Sequence, residues 1–158
     1  MHATKNDIGR EEREKIVELL NSRLADSLDL KSQAKQAHWN VKGMSFIGLH
    51  ELFDRVATEV EVYTDTIAER ITALGGTALG TARVTAQKSS LSEYPLEIVD
   101  GRDHVDALST ALSTFGKNVR QGIDEADNLK DKDTADLFTE VSRDVDKLLW
   151  FVEAHIQS

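Results

Sequence analysis

Two histidines and a tryptophan fall within one stretch, KQAHWNVKGMSFIGLHELFD from Lys35 to Asp54, in a chain of 158 residues with only five histidines and two tryptophans. His50 and Asp54 lie four residues apart, as do Asp65 and Glu69 farther on, and His38 precedes His50 by twelve. On a helix, residues four apart sit one above the other on a common face, so each pair can reach a single ion. An imidazole joined by several carboxylates suits Fe(II), Mn(II) or Zn(II) better than soft Cu(I). A carboxylate-rich site with room for two ions favours iron redox chemistry. Carboxylates gathered without a cation repel one another, so a bound metal is what makes such a cluster tolerable.

Four of these groups must be positioned by one element, a helix expected from about Phe46 to Leu74. Read at about 100° per residue, Leu49, Leu52, Phe53, Val56, Val60, Tyr63, Ile67, Ile71 and Leu74 share its core face. His50, Asp54, Asp65 and Glu69 form a second stripe almost opposite, interleaved with the small residues Ala57, Thr58, Ala68 and Thr72. Polar residues opposite a core stripe are ordinarily a solvated face. Here, however, the pair His50 and Glu69 and the pair Asp54 and Asp65 are centred on the same point, between residues 59 and 60. Two copies of the helix laid antiparallel about a two-fold axis at that point would set His50 against the partner's Glu69, and Asp54 against the partner's Asp65. Within one chain His50 and Glu69 are about 28 Å apart along the helix. Each subunit would therefore hold half a site, and an isologous dimer would complete two. His38 lies at the end of the preceding helix, outside this symmetry. Read alone, it serves a helix C-terminus as readily as a metal.

The other elements follow from hydrophobic periodicity. Helix one is expected from about Arg10 to Asn40, helix three from near Asp103 and helix four from near Asp133, with Asp133 or Thr134 as its N-cap. The glycines of LGGTALG stop helix two. The first and third connections are short, whereas the middle one, Gly75 to Arg102, runs to about 27 residues, long for a compact domain. An all-α four-helix bundle with one long crossover between helices two and three accounts for it. TARVTAQKS (Thr81 to Ser89) is expected to form a short helix inside that crossover. Residues 1–158 are expected to form one domain, with 1–9 as a mobile N-terminal tail. There is no cysteine, hence no disulfide framework and no thiolate metal site. No apolar run reaches the length of a membrane span, and the polar N-terminus does not read as a secretory signal.

The motif KQAHWNVKGMSFIGLHELFD, with DTIAERITALGG after it, closely resembles the Dps family, the dodecameric mini-ferritins. That family's spacing is His, twelve on His, four on Asp, eleven on Asp, four on Glu, and His38, His50, Asp54, Asp65 and Glu69 keep every interval. SEYPLEIVDGRDHV and DTADLFTEVSRDVDKLLWFVE extend the resemblance over nearly the whole chain. It implies a ferritin-like fold and a homo-dodecamer built from two-fold dimers. It also implies a ferroxidase centre at the dimer interface, with His38, His50 and Asp54 from one chain and Asp65 and Glu69 from the other. Two irons would bind per site, with zinc as a substitute. Fe(II) would be oxidised, by hydrogen peroxide in the family's usual chemistry, and the ferric mineral stored in a hollow shell, protecting the cell from oxidative damage. Trp39 would pack at the interface or act as a redox-active neighbour. Ordinary ferritins hold their di-iron site inside the bundle on Glu-x-x-His motifs, and this sequence has none. His2, His104 and His155 receive no role.

The resemblance also implies acidic iron-entry pores near the start of helix four, where Asp131, Asp136 and Glu140 recur, although Lys130 and Lys132 interrupt the acidity. The alternative function is structural, the compaction of DNA. It is disfavoured by a net charge of −9 per chain, which repels phosphate. It is disfavoured too by an N-terminus in which Lys5, Arg10, Arg13 and Lys15 are matched by Asp7, Glu11, Glu12 and Glu14, and no basic extension is expected beyond helix four. The expected location is the bacterial cytoplasm, with nucleoid association tied to the alternative.

Overall fold

The computed structural model describes residues 1–157 and contains five helices: α1 Arg10–Asn40, α2 Phe46–Ala73, α3 Ala82–Lys88, α4 Gly101–Asn128 and α5 Lys132–Glu153. α1 packs along α2, α4 packs along α5, and the two hairpins meet through α1 against α4 and α2 against α5. Between them runs one continuous core in which Phe53, Phe115 and Phe138 are fully enclosed. Each such ring contributes roughly 1.5–3 kcal/mol of burial. Among the described residues no helix is long and apolar enough to cross a membrane.

Two of the helix ends are closed in the same way by different residues. At the end of α2, Gly75 takes φ 84° and donates to the Thr72 carbonyl, while Gly76 donates to Ile71. This is the Schellman arrangement, and it satisfies carbonyls that the helix leaves open. At the end of α4, Lys130 takes φ 62° and donates to Asp127, and Asp131 donates to Ala126. Asp131 then turns the chain at once into α5. Its carboxylate caps the new helix, accepting from the Thr134 N–H at 3.0 Å and from Thr134 Oγ1 at 2.5 Å. The N-cap is therefore Asp131, not Asp133 or Thr134, because the Lys130 turn leaves no room for a longer connection.

The crossover is tied down rather than looped out. α3 lies against α1, and fully buried Asp26 of α1 gathers three elements. It accepts from the Ser90 N–H at 2.8 Å, from Ser90 Oγ at 2.9 Å and from Asn118 Nδ2 of α4 at 3.2 Å. Asp29 accepts from Ser89 Oγ at 2.6 Å, and Gln33 donates to the Ser92 carbonyl at 3.0 Å. These bonds stabilise a 27-residue segment that has few apolar anchors of its own. The N-terminal residues, expected to be mobile, are placed against the start of α1 and the end of α2. The His2 N–H donates to Gly75 O at 2.7 Å, and Arg13 reaches Ile8 O and Leu74 O.

Candidate metal centre

The end of α1 and the start of α2 run side by side, which brings His38 and His50 together. Their rings stack with centroids 3.7 Å apart. His38 Nδ1 lies 2.7 Å from the His50 carbonyl oxygen, and His50 Nδ1 lies 2.8 Å from the His38 carbonyl oxygen. A carbonyl oxygen can only accept, so each Nδ1 carries the proton and donates. In the neutral form of such a ring Nε2 carries the lone pair, the state in which imidazole binds a metal. Both rings are half-buried, and Phe46 covers His50 with ring centroids 5.0 Å apart. With both Nδ1 atoms engaged by backbone carbonyls, Nε2 is the atom each ring offers to a divalent cation.

Asp54 follows His50 by one turn of α2. It receives Lys35 Nζ of α1 at 2.6 Å. The hydrogen bond from Lys35 holds the Asp54 carboxyl below the usual carboxylate range, against a partial burial that acts the other way, with the charges of Lys35, His38 and His50 adding to the lowering. Lys35 Nζ also lies 5.6 Å from the centroid of the Trp39 ring, which is itself well exposed.

Asp65 and Glu69 lie exposed, about three to five turns farther along α2. The chain thus gathers His38, His50 and Asp54 at one end of α2 and carries Asp65 and Glu69 at the other. Among the described residues no three His, Cys, Asp or Glu side chains are close enough to hold an ion within one chain. The outward stripe is also narrower than its sequence reads. His50 and Asp54 are half-buried against α1, and Ala57 belongs to the core at 3% exposure, while Thr58 and Thr72 remain exposed.

Asp131 stands apart from the other two acids expected at a pore. It is 1% exposed and receives Arg70 Nη2 at 2.7 Å in addition to its capping bonds. Its charge is consumed inside the fold. Asp136 and Glu140 are exposed on α5. Glu140 lies beside Glu59, Asp144 and Tyr63 in a groove between α2 and α5; burial, with Asp144 and Glu59 nearby, raises the Tyr63 pKa. His104 is buried, with Nδ1 2.7 Å from the Tyr94 hydroxyl. His155 donates from Nδ1 to Phe151 O at 2.9 Å on the surface.

Lys35 is a residue of this junction that the metal-ligand spacing does not single out. Its signal was its place one turn before His38, on the face that meets α2. Arg70, the residue after Glu69, was missed for the same reason, since its partners Asp131 and Thr134 lie on another helix.

The Ferritin-like domain family matches residues 17–158. The DNA protection during starvation protein of Agrobacterium fabrum is 45% identical over 156 residues, 99% of this chain and 96% of that protein. The solved structure of Mycobacterium smegmatis Dps in its tetragonal form superposes with a TM-score of 0.94 at 30% identity, covering 99% of this chain and 95% of that one. A Dps protein from Vibrio cholerae O1, described as a member of a broad superfamily of ferritin-like diiron-carboxylate proteins, gives 0.90 at 25% identity, covering 99% of this chain and 100% of that one. The four-helix bundle thus belongs to a ferritin-like protein. Within that class, this chain is a member of the Dps family.

Proposed function

We propose that this protein is a ferroxidase and iron store of the bacterial cytoplasm, working as a dodecameric shell with its oxidation sites between two-fold-related subunits. The observation that carries the reading is the reciprocal His38–His50 hydrogen bonding, which engages both Nδ1 atoms on backbone carbonyls and leaves both Nε2 atoms for a metal. These rings and Asp54 form one half-site. Asp65 and Glu69, exposed and symmetric to them about the middle of α2, supply the other half from the partner subunit. Fe(II) is the substrate. Two ions held at one site each give one electron to hydrogen peroxide. Its O–O bond breaks, two protons are taken up and two waters form, so the one-electron route to hydroxyl radical is bypassed. Ferric product then moves inward and mineralises. Entry from outside uses the exposed Asp136 and Glu140 rather than Asp131. The superfamily description of the Vibrio cholerae relative supports the di-iron carboxylate chemistry.

The test is anaerobic Fe(II) titration of the assembled protein, followed by peroxide or by air. Rapid oxidation of two Fe(II) per site, with one peroxide consumed per two irons, is expected. Asp65→Ala and Glu69→Ala should each suppress the rapid phase while leaving the fold intact, because both side chains face outward and no core cavity is made. Wild-type peroxide-driven rates in the double variant, or metal found only inside a single bundle, would overturn the interface assignment.

A further inference from the structure

Lys35 projects from α1 one turn before His38 and crosses to α2, where its ammonium lies 2.6 Å from Asp54 Oδ1. This is the geometry of a charge-assisted hydrogen bond, short and strong for its kind. Neither partner is fully buried: the side chains are 29% and 50% exposed. The pair therefore sits at the mouth of the half-site, beside the two imidazoles, and one carboxylate oxygen of a proposed ligand is occupied by a cation built into the chain.

We propose that Lys35 is a resident counter-cation that competes with the incoming divalent metal for Asp54, and so sets the affinity of the ion position that uses this carboxylate. The inference rests on the interface-site reading above. Any cation drawing on Asp54 must take the oxygen from Lys35 or share it against a positive charge a few ångströms away. Lysine suits such an exchange. Its ammonium is a compact point charge on a flexible four-carbon stem, without the planar fork that would fix arginine to a carboxylate. The chain offers the displaced ammonium a second resting place, the Trp39 ring 5.6 Å from Nζ, where cation–π attraction holds it without a carboxylate. Metal arrival is then an exchange of partners, with Lys35 moving from Asp54 toward the Trp39 face. Departure of the oxidised ion lets Lys35 return, so the emptied half-site is not left with an uncompensated acid. The consequence is a site that loads and unloads rather than one that traps its first ion, as a store with continuous throughput requires.

The experiment is titration of Co(II) into the metal-free, full-length assembled protein, followed by calorimetry and by the visible absorption of the bound ion. The set is wild type, Lys35→Met, Lys35→Gln, Lys35→Arg, Asp54→Asn and the Lys35→Met/Asp54→Asn double variant. Lys35→Met and Lys35→Gln should bind Co(II) at least tenfold more tightly than wild type, whereas Lys35→Arg, which keeps the charge, should show no such gain. A lysine that merely braced α1 against α2 would give the opposite sign, because its loss would loosen the half-site and weaken binding. The gain should vanish in the double variant. Unchanged or weaker binding in both neutral variants, or a gain that persists without the Asp54 carboxylate, would overturn the Lys35 assignment while leaving the interface site in place. Wild-type stoichiometry and affinity in Asp54→Asn would overturn the role of Asp54, and the Lys35 proposal with it.

Discussion

Arg70 donates to Asp131 at 2.7 Å, tying the end of α2 that carries the outward acids to the first turn of α5. Arg70 Nε reaches Thr134 Oγ1 at 3.0 Å as well, so one guanidinium holds both the cap and the residue being capped. Asp131→Ala removes the cap and leaves Arg70 without its closest carboxylate. The expected loss is about 3 kcal/mol of unfolding free energy, read as a lower denaturant midpoint. Asp136→Ala, on an exposed position of the same helix, should leave the midpoint where it is. Equal effects of the two substitutions would contradict a structural role for Asp131.

The reciprocal bonds between His38 and His50 run to backbone carbonyls, which no side-chain substitution removes. In His38→Ala the carbonyl of residue 38 is still present, so His50 keeps its Nδ1–H bond and its proposed ligating Nε2. The measured effect should therefore be that of one lost imidazole: metal binding weakened by about tenfold or more and peroxide-driven Fe(II) oxidation slowed with it. Calorimetric titration with Zn(II) checks this independently of turnover. A variant with unaltered Zn(II) affinity would remove His38 from the ligand set.

His104 should make stability pH-dependent. Burial lowers its pKa, and the charges of Asp103 and Asp100 and a contact with the Ile98 backbone oppose that only in part. The unfolded chain therefore takes up a proton near the ordinary histidine value of about 6.5, while the folded chain does not until lower pH. Stability is full above that ordinary value and is lost as pH falls through the window down to the depressed folded value. Melting temperatures between about pH 7.5 and 5 should fall with a gentler slope in His104→Phe than in wild type at equal protein concentration. Parallel curves would show that His104 does not contribute.

Duplex DNA should not bind at neutral pH and physiological salt. Of the N-terminal cations, Arg13 is buried on backbone carbonyls, while Arg10 and Lys15 are paired with Glu14 and Glu11. In the proposed dodecamer, twelve chains of net charge −9 would add repulsion, and screening at about 0.15 M salt confines any tail's electrostatic reach to about 8 Å. Gel-shift assays across a salt series check this. A retarded complex at about 0.15 M salt without added metal would favour the nucleoid-protein function, and one that needs excess divalent ion would indicate bridging.

Much of this molecule can be read from residue spacing because α2 is strongly two-faced. Its apolar residues recur at helical period and its stop is written in glycines. The end of α4 was harder to see, since Lys130 takes the left-handed conformation that glycine takes after α2. Helical period puts Ala57 on the outer stripe, but it lies buried. A small residue at the boundary of two faces is assigned by its neighbours on other helices, not by period. The symmetric spacing of His50, Asp54, Asp65 and Glu69 was visible without any fold. The histidine tautomers were not, because they depend on carbonyls facing each other across the α1–α2 junction. Lys35 on Asp54 and Arg70 on Asp131 were hidden for the same reason: each contact joins two helices whose mutual rotation no single-helix periodicity contains.

The crossover separates two hairpins of short closure, with five residues between α1 and α2 and three between α4 and α5, against 27 between α2 and α4. Closing a short loop costs less chain entropy than closing a long one, so each hairpin can form on its own before the two dock, and local topology of this kind folds fast. All five proposed ligands lie on the first hairpin. During synthesis, the half of the protein that carries the proposed ligands leaves the ribosome and can pair its helices while the second half is still being made. The later hairpin adds no ligand; it is the buttress that stiffens a surface already written into the first 73 residues.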